Sequence, residues 1–426
     1  MGSRMEQIVI KGRNPLSGKV QIGGAKNAAV AIIPAALAAN GVCVIDNLPE
    51  IEDVQNLCRA VESLGAVCTW NDAKSLKIDA SNIARYTISK EIAAVMRASY
   101  YLLGVLLGRF GKAEIPIPGG CNLNVGPRLF NYHLKGFEAL GATTSQDDDV
   151  IRVQADKLVG AHIHLDSPSV GATINIMMAA VFAEGATTID NAAKEPHVVD
   201  TANFLNKLGA KIKGAGSDTI RITGVKELGG GEYTVIPDPI ETGTYMIAAA
   251  ITDGDVTVEG VIPKHMDSLT AKLREMDCHV EEGDDSIRVR AGKPLKASVV
   301  RTSEYPGFPT DLQPQITTLL CTAEGKSMVT ETIYDNRFLY ACELNHLGAD
   351  IQIKGRSAHT DGSCVLVGAE VNATDLRAGA ALVLAGLVAQ GETVISNIGH
   401  LDRGYERFVD KFSALGADIK RTGKTE

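Results

Sequence analysis

The chain has 426 residues, of which 45% are hydrophobic and 22% are charged, and its formal net charge is −9. Because single hydrophobic cores stop growing near roughly 250–300 residues, this length predicts two domains. A negative net charge without a basic tail argues against a nucleic-acid-binding surface.

Eight cysteines are spread along the chain, without a Cys-x-x-Cys pair or a Cys/His cluster of zinc spacing. This argues against a disulfide framework and against a metal site. The longest apolar runs, 28–39 and 100–107, are shorter than the roughly 18–20 residues that span a bilayer. Since the N-terminus also lacks a signal-peptide pattern, we expect a reduced, soluble, cytoplasmic protein without membrane association. We read residues 1–4 as an expression remnant before a natural start at Met5.

An amphipathic helix that ends in Leu-Gly-Ala recurs along the chain. The glycine supplies the left-handed position that follows a helix, and the β-branched residues after it predict a strand. The copies are Leu64-Gly65-Ala66, Leu140-Gly141-Ala142, Leu208-Gly209-Ala210, the degenerate Met276-Asp277-Cys278, Leu347-Gly348-Ala349 and Leu415-Gly416-Ala417. These helices carry charge on one face, so we expect them to be half exposed.

A second repeated motif has nearly the same period and consists of an apolar, Ala-rich helix, a glycine and a strand. Its glycines are Gly41, Gly111, Gly185, Gly254, Gly325 and Gly391. Helices that are apolar nearly all round should be buried. The alternative, a generic α/β chain with coincidental glycines, is disfavoured by twelve motif placements at near-constant spacing. We predict six units of about 70 residues, divided into two domains of three.

The predicted buried helices begin with polar residues. We interpret Ser169, Thr242 and Asp375 as ordinary helix caps. Lys26, Arg97 and Arg377 need another explanation, because a cation near a helix N-terminus opposes the helix dipole unless an anion binds there.

If the three buried helices of each domain are parallel, their N-termini converge. Two such domains facing each other would form a cleft for a multiply anionic substrate and would close on binding. Arg337 and Arg403 lie in loops of distinctive sequence, for which surface salt bridges are the equally weighted alternative.

Cys121 lies at the tip of a Pro/Gly-rich loop, 115–122. No Gly-Lys-Ser/Thr follows, so the loop is not a phosphate-binding P-loop. An exposed thiol near cations can be reactive, and from the residues alone a chemical and a structural role are equally supported. The other seven cysteines lie in apolar contexts and are expected to be packing residues.

These motifs resemble, in order and spacing, those of the UDP-N-acetylglucosamine enolpyruvyl transferases. The resemblance covers about residues 5–421. It rests on Gly24-Ala25-Lys26-Asn27, Met96-Arg97-Ala98-Ser99, Pro118-Gly119-Gly120-Cys121, Ser169-Val170-Gly171-Ala172-Thr173, Glu195-Pro196, Asp238, Phe308-Pro309-Thr310-Asp311, Asn336-Arg337-Phe338, Ala373-Thr374-Asp375-Leu376-Arg377 and Asp402-Arg403-Gly404-Tyr405.

The resemblance implies an α/β fold, a two-domain inside-out α/β barrel of six βαβαββ units. The domains would be 25–236, which carries the Cys121 loop, and 1–24 plus 237–426, which carries Asp311, Arg337, Arg377 and Arg403. The active site would lie in the cleft between them. The two crossings between domains would fall near Gly23–Lys26 and Val235–Pro239.

The resemblance also implies the reaction, in which phosphoenolpyruvate gives its enolpyruvyl group to the 3-hydroxyl of UDP-N-acetylglucosamine and phosphate leaves. Cys121 would be the general acid, alkylated by epoxide antibiotics of the fosfomycin type, and Asp311 the base or the residue that orients the hydroxyl. The cationic set would be Lys26, Arg97, Arg337, Arg377 and Arg403, with Lys26 and Arg403 also acting in catalysis. The contacts to the UDP-sugar would be Asn27, Ser169, Val170, Gly171 and Asp311. No metal or cofactor is implied, and we expect a monomer or weak homo-oligomer.

The cysteine loop departs from the family pattern. Gly126 occupies the place of a phosphate-binding arginine, for which Arg128 is the candidate replacement, and Leu129 lies near the place of an acidic residue that meets the uracil. Smaller departures are His197, Pro239, Tyr305 and Asp335. These leave two alternatives open: an enolpyruvyl transferase for another acceptor, and a binding homologue without activity. The shikimate-pathway relative resembles the chain less, since it lacks the Pro-Gly-Gly-Cys loop.

Overall fold

The computed structural model describes residues 6–117, 128–147, 149–292 and 294–423. Within these residues the chain forms two compact units. The first unit lies between Gly24 and Ile236, and the second contains the residues up to Gly23 and those from Pro237 onward. Each unit has its own hydrophobic core.

The described residues form 14 α-helices. They are α1 (Lys26–Ala35), α2 (Glu52–Leu64), α3 (Lys90–Val95), α4 (Tyr101–Phe110), α5 (Arg128–Ala139), α6 (Val170–Ala180), α7 (Pro196–Lys207), α8 (Pro239–Ile251), α9 (Asp267–Glu275), α10 (Gln313–Cys321), α11 (Tyr340–His346), α12 (Leu376–Val388), α13 (Gly399–Asp402) and α14 (Phe408–Ala414). Short 3-10 helices cover Ala36–Ala38, Arg97–Tyr100, Pro263–Met266 and Thr310–Leu312.

The strands in the described residues are β1 (Gln7–Lys11), β2 (Ser17–Gln21), β3 (Val42–Asp46), β4 (Val67–Trp70), β5 (Leu76–Asp79), β6 (Lys112–Pro116), β7 (Thr143–Gln146), β8 (Val150–Gln154), β9 (His162–His164), β10 (Ala186–Asp190), β11 (Lys211–Lys213), β12 (Thr219–Thr223), β13 (Gly231–Thr234), β14 (Asp255–Glu259), β15 (His279–Glu282), β16 (Ser286–Arg290), β17 (Val299–Arg301), β18 (Ser327–Thr330), β19 (Ile351–Lys354), β20 (Ser357–Thr360), β21 (Glu370–Asn372), β22 (Glu392–Ser396) and β23 (Asp418–Thr422).

Each repeat contributes one sheet. The first unit contains the sheets β13-β3-β5-β4, β6-β8-β7 and β11-β12-β10-β9, and the second contains β15-β16-β14-β2, β17-β18-β20-β19 and β21-β22-β1-β23. The four-stranded sheets share one pattern, in which a parallel pair is followed by antiparallel neighbours. In the three-stranded sheet the parallel partner is reduced to a bridge between Thr87 and Glu114.

Three of the sheets include a strand from a part of the chain outside the repeat that forms the rest of the sheet. The parallel strand of the first repeat is β13, which follows the third repeat, and β2 plays this part for the fourth repeat. The N-terminal β1 completes the sixth sheet between β22 and β23. Together with the two cores, this arrangement confirms the predicted fold of six α/β units, three in each unit of the chain.

The two helix classes behave as their sequences predicted. The apolar helices α1, α4, α6, α8, α10 and α12 are buried over most of their length. The helices that end in Leu-Gly-Ala bury one face, as α2 does with Val54, Leu57 and Val61.

The predicted left-handed positions are also confirmed. The glycines of the Leu-Gly-Ala copies all have positive φ, and in the degenerate fourth copy Asp277 adopts φ 68° in place of the glycine. The φ angles are 114° at Gly65, 94° at Gly141, 113° at Gly209, 91° at Gly348 and 97° at Gly416. The repeat therefore keeps its turn even where its glycine has been replaced.

In the first unit two of the buried helices, α4 and α6, run parallel. A Cβ on Gly104 of α4 would lie 2.2 Å from the Asn175 carbonyl of α6, and one turn later a Cβ on Gly108 would lie 2.9 Å from the Met178 carbonyl. Both contacts advance in the same direction along the two helices. These glycines permit the close approach, because any larger side chain would push the helices apart.

In the second unit, hydrogen bonds hold Gly23 and Asp238, which lie where the chain passes from one unit to the other. The Gly23 N–H donates to Glu241 Oε2 at 3.0 Å, and the Gly23 carbonyl accepts from Asp238 N at 3.0 Å. Lys411 pairs with Glu241 at 2.6 Å and with Glu406 at 3.2 Å. Burial raises the pKa of Glu241 to about 7, although the nearby Lys411 opposes this shift.

In the first unit, Asp200 holds Ile236, which lies next to the second of these passages. Its carboxylate accepts hydrogen bonds from the Tyr233 hydroxyl and from the Ile236 N–H, and Ala25 N donates to the Ile236 carbonyl at 2.7 Å. Burial raises the pKa of Asp200 to about 6, and the two hydrogen bonds only partly offset this effect.

Asp200 predicts a pH dependence of stability. Its folded pKa of about 6 lies above the ordinary value of 3.8, so the folded state binds the proton more tightly than the unfolded state. Its contribution to the free energy of unfolding is therefore full below about pH 4 and falls by roughly 3 kcal/mol as the pH rises through 6. We expect Asp200→Asn to flatten this decline, as measured by urea unfolding between pH 4 and 8.

The matched control is Asp166→Asn, since Asp166 lies in the same unit with its side chain 60% exposed. It should leave the pH dependence of unfolding as it is in the unmodified protein. An equally steep decline in Asp200→Asn would show that burial of this carboxylate has no such cost.

Candidate functional site

Asp311 lies between two arginines of the second unit. Arg337 Nη2 is 3.0 Å from Asp311 Oδ1, and Arg377 Nη2 is 2.9 Å from Asp311 Oδ2. The arginine side chains are only 8% and 6% exposed, whereas that of Asp311 is 24% exposed. Two buried cations thus share one carboxylate that solvent still reaches.

In the cluster of Asp311, Arg337 and Arg377, positive charge exceeds negative charge. Burial lowers the pKa of Arg337 and of Arg377, but the surrounding negative and phenolic groups, with Asp311 the strongest of them, together outweigh burial, so that both pKa values are raised. Both guanidinium groups therefore stay charged. The three side chains together carry one excess positive charge, which suits an anionic ligand.

The elements of the second unit explain why these groups meet. Asp311 lies in the 3-10 helix just before α10, and Arg377 is the second residue of α12. Their ion pair joins the N-terminal ends of α10 and α12, while Thr244 of α8 accepts a hydrogen bond from Gln315 of α10 at 3.4 Å. The predicted convergence of helix starts is therefore present in this unit.

An aromatic side chain supports each arginine. The Arg337 guanidinium lies 5.0 Å from the ring centre of Tyr334, and that of Arg377 lies 5.8 Å from the ring centre of Tyr405. These distances allow cation–π attraction. The Tyr405 hydroxyl is 2.9 Å from Thr244 Oγ1, which fixes the ring beneath Arg377.

Arg403 is the C-cap residue of α13 and belongs to the same unit. The pKa of His400 is lowered first by burial and then by the charge of Arg403, while Asp375 opposes the shift. The charges of Arg403 and Asp375 therefore both act on His400, with opposite effects on its pKa. Arg421 holds the neighbouring Asp402 through two hydrogen bonds, at 2.8 and 2.7 Å, so the turn that carries Arg403 is tied to β23.

The predicted caps have mixed outcomes. Ser169 Oγ accepts from Ala172 N at 3.3 Å and Asp375 Oδ1 accepts from Arg377 N at 2.8 Å, so both are caps as predicted. The prediction for Thr242 was wrong. α8 begins earlier, at Pro239, and Asp238 is its N-cap residue. The Thr242 hydroxyl donates to the Asp238 carbonyl inside the helix.

In the first unit Lys26 is the first residue of α1 and Asn27 the second. Lys26 Nζ lies 2.8 Å from Asp53 Oδ2, and the Asp53 side chain is only 2% exposed. A carboxylate buried in the first turn of α2 thus holds the lysine at the helix start. Asp53 does not stand out in the sequence as a site residue, because an acidic residue at a helix start is ordinary capping chemistry.

Arg97 and the Ser169–Gly171 segment occupy the other helix starts of the first unit. Arg97 begins the 3-10 helix that precedes α4, and Val170 and Gly171 open α6. A Cβ on Gly171 would lie 3.0 Å from the imidazole of His133. Burial, and next the charge of Arg97, lowers the pKa of His133 to about 3, so this imidazole is neutral.

Four features named from the sequence lie outside the described residues: Cys121, Gly126 and the side chains of Arg128 and Leu129. In the described part of the chain, no group of three or more His, Cys, Asp or Glu side chains could hold a metal ion. No helix of these residues is long and apolar enough to cross a membrane.

Each unit therefore presents cations held by carboxylates, at helix starts in the case of Lys26 and Arg377 and in the loop before α11 in the case of Arg337. Lys26 is paired with Asp53, and Arg337 and Arg377 with Asp311. Backbone N–H groups at a helix start and a nearby cation attract the same anion. Such sites can bind phosphate and carboxylate groups and can stabilise negative charge that develops during a reaction.

Comparison with known proteins identifies the family. Residues 10–412 match the family model described as EPSP synthase (3-phosphoshikimate 1-carboxyvinyltransferase). A UDP-N-acetylglucosamine 1-carboxyvinyltransferase of Caldanaerobacter subterraneus subsp. tengcongensis is 55% identical over 98% of this chain and 99% of its own. One from Clostridium acetobutylicum is 53% identical over the same shares.

Solved structures show the same fold. The enolpyruvyl transferase NikO from Streptomyces tendae has a TM-score of 0.89 at 28% identity, over 99% of this chain and 100% of that one. An EPSP synthase from Acinetobacter baumannii has a TM-score of 0.76 at 18% identity, over 98% and 100%, and so supports the fold alone. By its full-length identity to curated relatives, the chain belongs to the UDP-N-acetylglucosamine 1-carboxyvinyltransferase family of enolpyruvyl transferases.

Proposed function

We propose that this protein transfers the enolpyruvyl group of phosphoenolpyruvate to the 3-hydroxyl of UDP-N-acetylglucosamine and releases phosphate. This is the first committed step of peptidoglycan synthesis. The observation that carries the proposal is the Asp311 carboxylate held between the buried Arg337 and Arg377, in a chain more than 50% identical to curated members of the family.

The cations match the charges of the substrates. Phosphoenolpyruvate brings a phosphate and a carboxylate, and the UDP-sugar brings a diphosphate. We assign their binding to the cationic set Lys26, Arg97, Arg337, Arg377 and Arg403, with Arg128 as the replacement for the arginine absent at Gly126. Asn27, Ser169, Val170, Gly171 and Asp311 contact the UDP-sugar in this proposal.

The reaction needs a proton donor and an oriented hydroxyl. In the addition step the sugar oxygen attacks C2 of phosphoenolpyruvate while Cys121 protonates C3 and the Asp311 carboxylate takes the hydroxyl proton. In the elimination step the Cys121 thiolate takes a proton back from C3, the C2–O bond to phosphate breaks, and the departing phosphate receives the proton held by Asp311. Asp311 accepts a hydrogen bond from the 3-hydroxyl and directs its oxygen toward C2. Lys26 and Arg403 stabilise the charge of the tetrahedral intermediate and of the departing phosphate.

Both units contribute to this assignment. Cys121, Lys26 and Arg97 belong to the predicted domain 25–236, whereas Asp311 and Arg403 belong to 1–24 plus 237–426. We therefore propose an active site in a cleft between the domains that closes when the UDP-sugar binds. We also propose a cytoplasmic location, where both substrates are made, and a monomer or weak homo-oligomer.

Identification of the product tests the function. We expect phosphoenolpyruvate and UDP-N-acetylglucosamine to give a UDP-sugar bearing one enolpyruvyl ether, measured by mass spectrometry. UDP-N-acetylmuramic acid, whose 3-oxygen already carries a lactyl ether, should give no product because it offers no 3-hydroxyl. Product from another nucleotide sugar, and none from UDP-N-acetylglucosamine, would overturn the assigned acceptor.

Cys121→Ala tests the general acid. Loss of a positioned proton donor ordinarily costs about 10²–10⁴ in rate, so we expect kcat near neutral pH to fall at least about a hundredfold while the circular dichroism spectrum stays the same. The matched control is Cys342→Ala, which removes an exposed thiol from α11 and should keep full activity. Full activity in Cys121→Ala would exclude this thiol as the acid.

A further inference from the structure

Glu331 is a buried carboxylate that the proposed reaction does not use. It follows β18 and is 1% exposed. The carboxylate accepts four hydrogen bonds, from Thr302 Oγ1 at 2.9 Å, Thr310 Oγ1 at 2.8 Å, Ile333 N at 2.8 Å and Tyr334 N at 3.1 Å. All four partners are donors, which suits the two acceptor oxygens of a carboxylate.

These bonds join two segments of the site. Glu331 Oε2 accepts from Thr310, the neighbour of Asp311, and Oε1 accepts from the backbone of the loop that leads to Arg337. The same two segments meet a second time in the ion pair between Asp311 and Arg337. One buried side chain therefore sets the spacing between the proposed hydroxyl-orienting carboxylate and its arginine partner.

The loop is also held on its other side. Arg356 Nε donates to the Glu331 carbonyl at 2.8 Å, its Nη2 donates to the Tyr334 carbonyl at 3.1 Å, and its Nη1 forms an ion pair with Asp335. The Tyr334 ring in turn lies beneath the guanidinium of Arg337. Because Arg356 already fixes the loop from outside, the hydrogen bond from Thr310 to Glu331 ties the Asp311 turn to a loop of fixed position, in addition to the ion pair between Asp311 and Arg337.

We propose that Glu331 is a positioning residue for enolpyruvyl transfer: it fixes the Asp311 turn relative to the Arg337 loop, so that the Asp311 carboxylate faces the acceptor hydroxyl. The inference rests on the proposed function of this site. Its consequence is that the alignment of Asp311 depends on a residue that contacts no substrate. Small displacements of this kind are costly, since reacting atoms must stay aligned.

Thr310→Val removes the hydrogen bond to Glu331 Oε2 without changing the side-chain volume much, and it leaves the ion pair between Asp311 and Arg337 in place. We expect kcat to fall about tenfold, with the KM for phosphoenolpyruvate within twofold of the unmodified value, because the arginines keep their places. In the free protein, amide exchange in residues 310–312 should become at least threefold faster, while residues 332–337 keep their protection.

The matched control is Thr317→Val in α10, which removes a buried hydroxyl that accepts from Tyr340 at 2.9 Å. It lies outside the proposed site and should keep kcat within twofold even if its Tm falls as far as that of Thr310→Val. An unchanged kcat in Thr310→Val, or an equal loss in Thr317→Val, would overturn the inference. If the unmodified protein shows no turnover, the proposed function fails, and the exchange at 310–312 alone decides the role of Glu331.

Discussion

Two arginine side chains that expose less than a tenth of their surface need a counter-charge, and Asp311 supplies it. An uncompensated buried charge costs several kcal/mol, so the position of Asp311 follows from the arginines as much as theirs follows from it. The cluster keeps one excess positive charge and one partly exposed carboxylate. An anion can therefore bind the arginines while the carboxylate stays available to a neutral hydroxyl.

The first unit uses the same arrangement on a smaller scale. Lys26 at the start of α1 is held by the buried Asp53 before any substrate binds. Side chains held in this way lose little conformational freedom on binding. The repeated fold brings helix starts together, as the ion pair between Asp311 and Arg377 does for α10 and α12. In the proposed site, charged residues at such helix starts bind the substrates.

The repeat made most of the fold predictable. Glycine after a helix and apolar residues all round a helix have local causes, and the structure follows both, even at Asp277 where the glycine is missing. The helix-start cations were predictable because they contradict the helix dipole. Thr242 was misplaced because a proline and Asp238 start α8 earlier, and two polar candidates of similar capping strength compete there.

The supporting carboxylates could not be predicted. Asp53 lies far in sequence from Lys26, and Glu331 lies far from Thr302 and Thr310. No local pattern marks these residues, and only the folded chain brings each carboxylate into contact with its partners. Arg337 and Arg377 likewise gave no sign that they share Asp311, which lies 26 and 66 residues away. Pairing of charges that are distant in sequence depends on tertiary packing, which cannot be inferred from the local sequence.

We propose that the cations held by Asp53 and Asp311 serve enolpyruvyl transfer to a UDP-sugar. The most direct test is the release of inorganic phosphate from phosphoenolpyruvate, measured with and without UDP-N-acetylglucosamine. We expect stoichiometric release that depends on the UDP-sugar. Phosphate release at the same rate without the UDP-sugar, or none with it from a folded protein, would contradict this role of the cations.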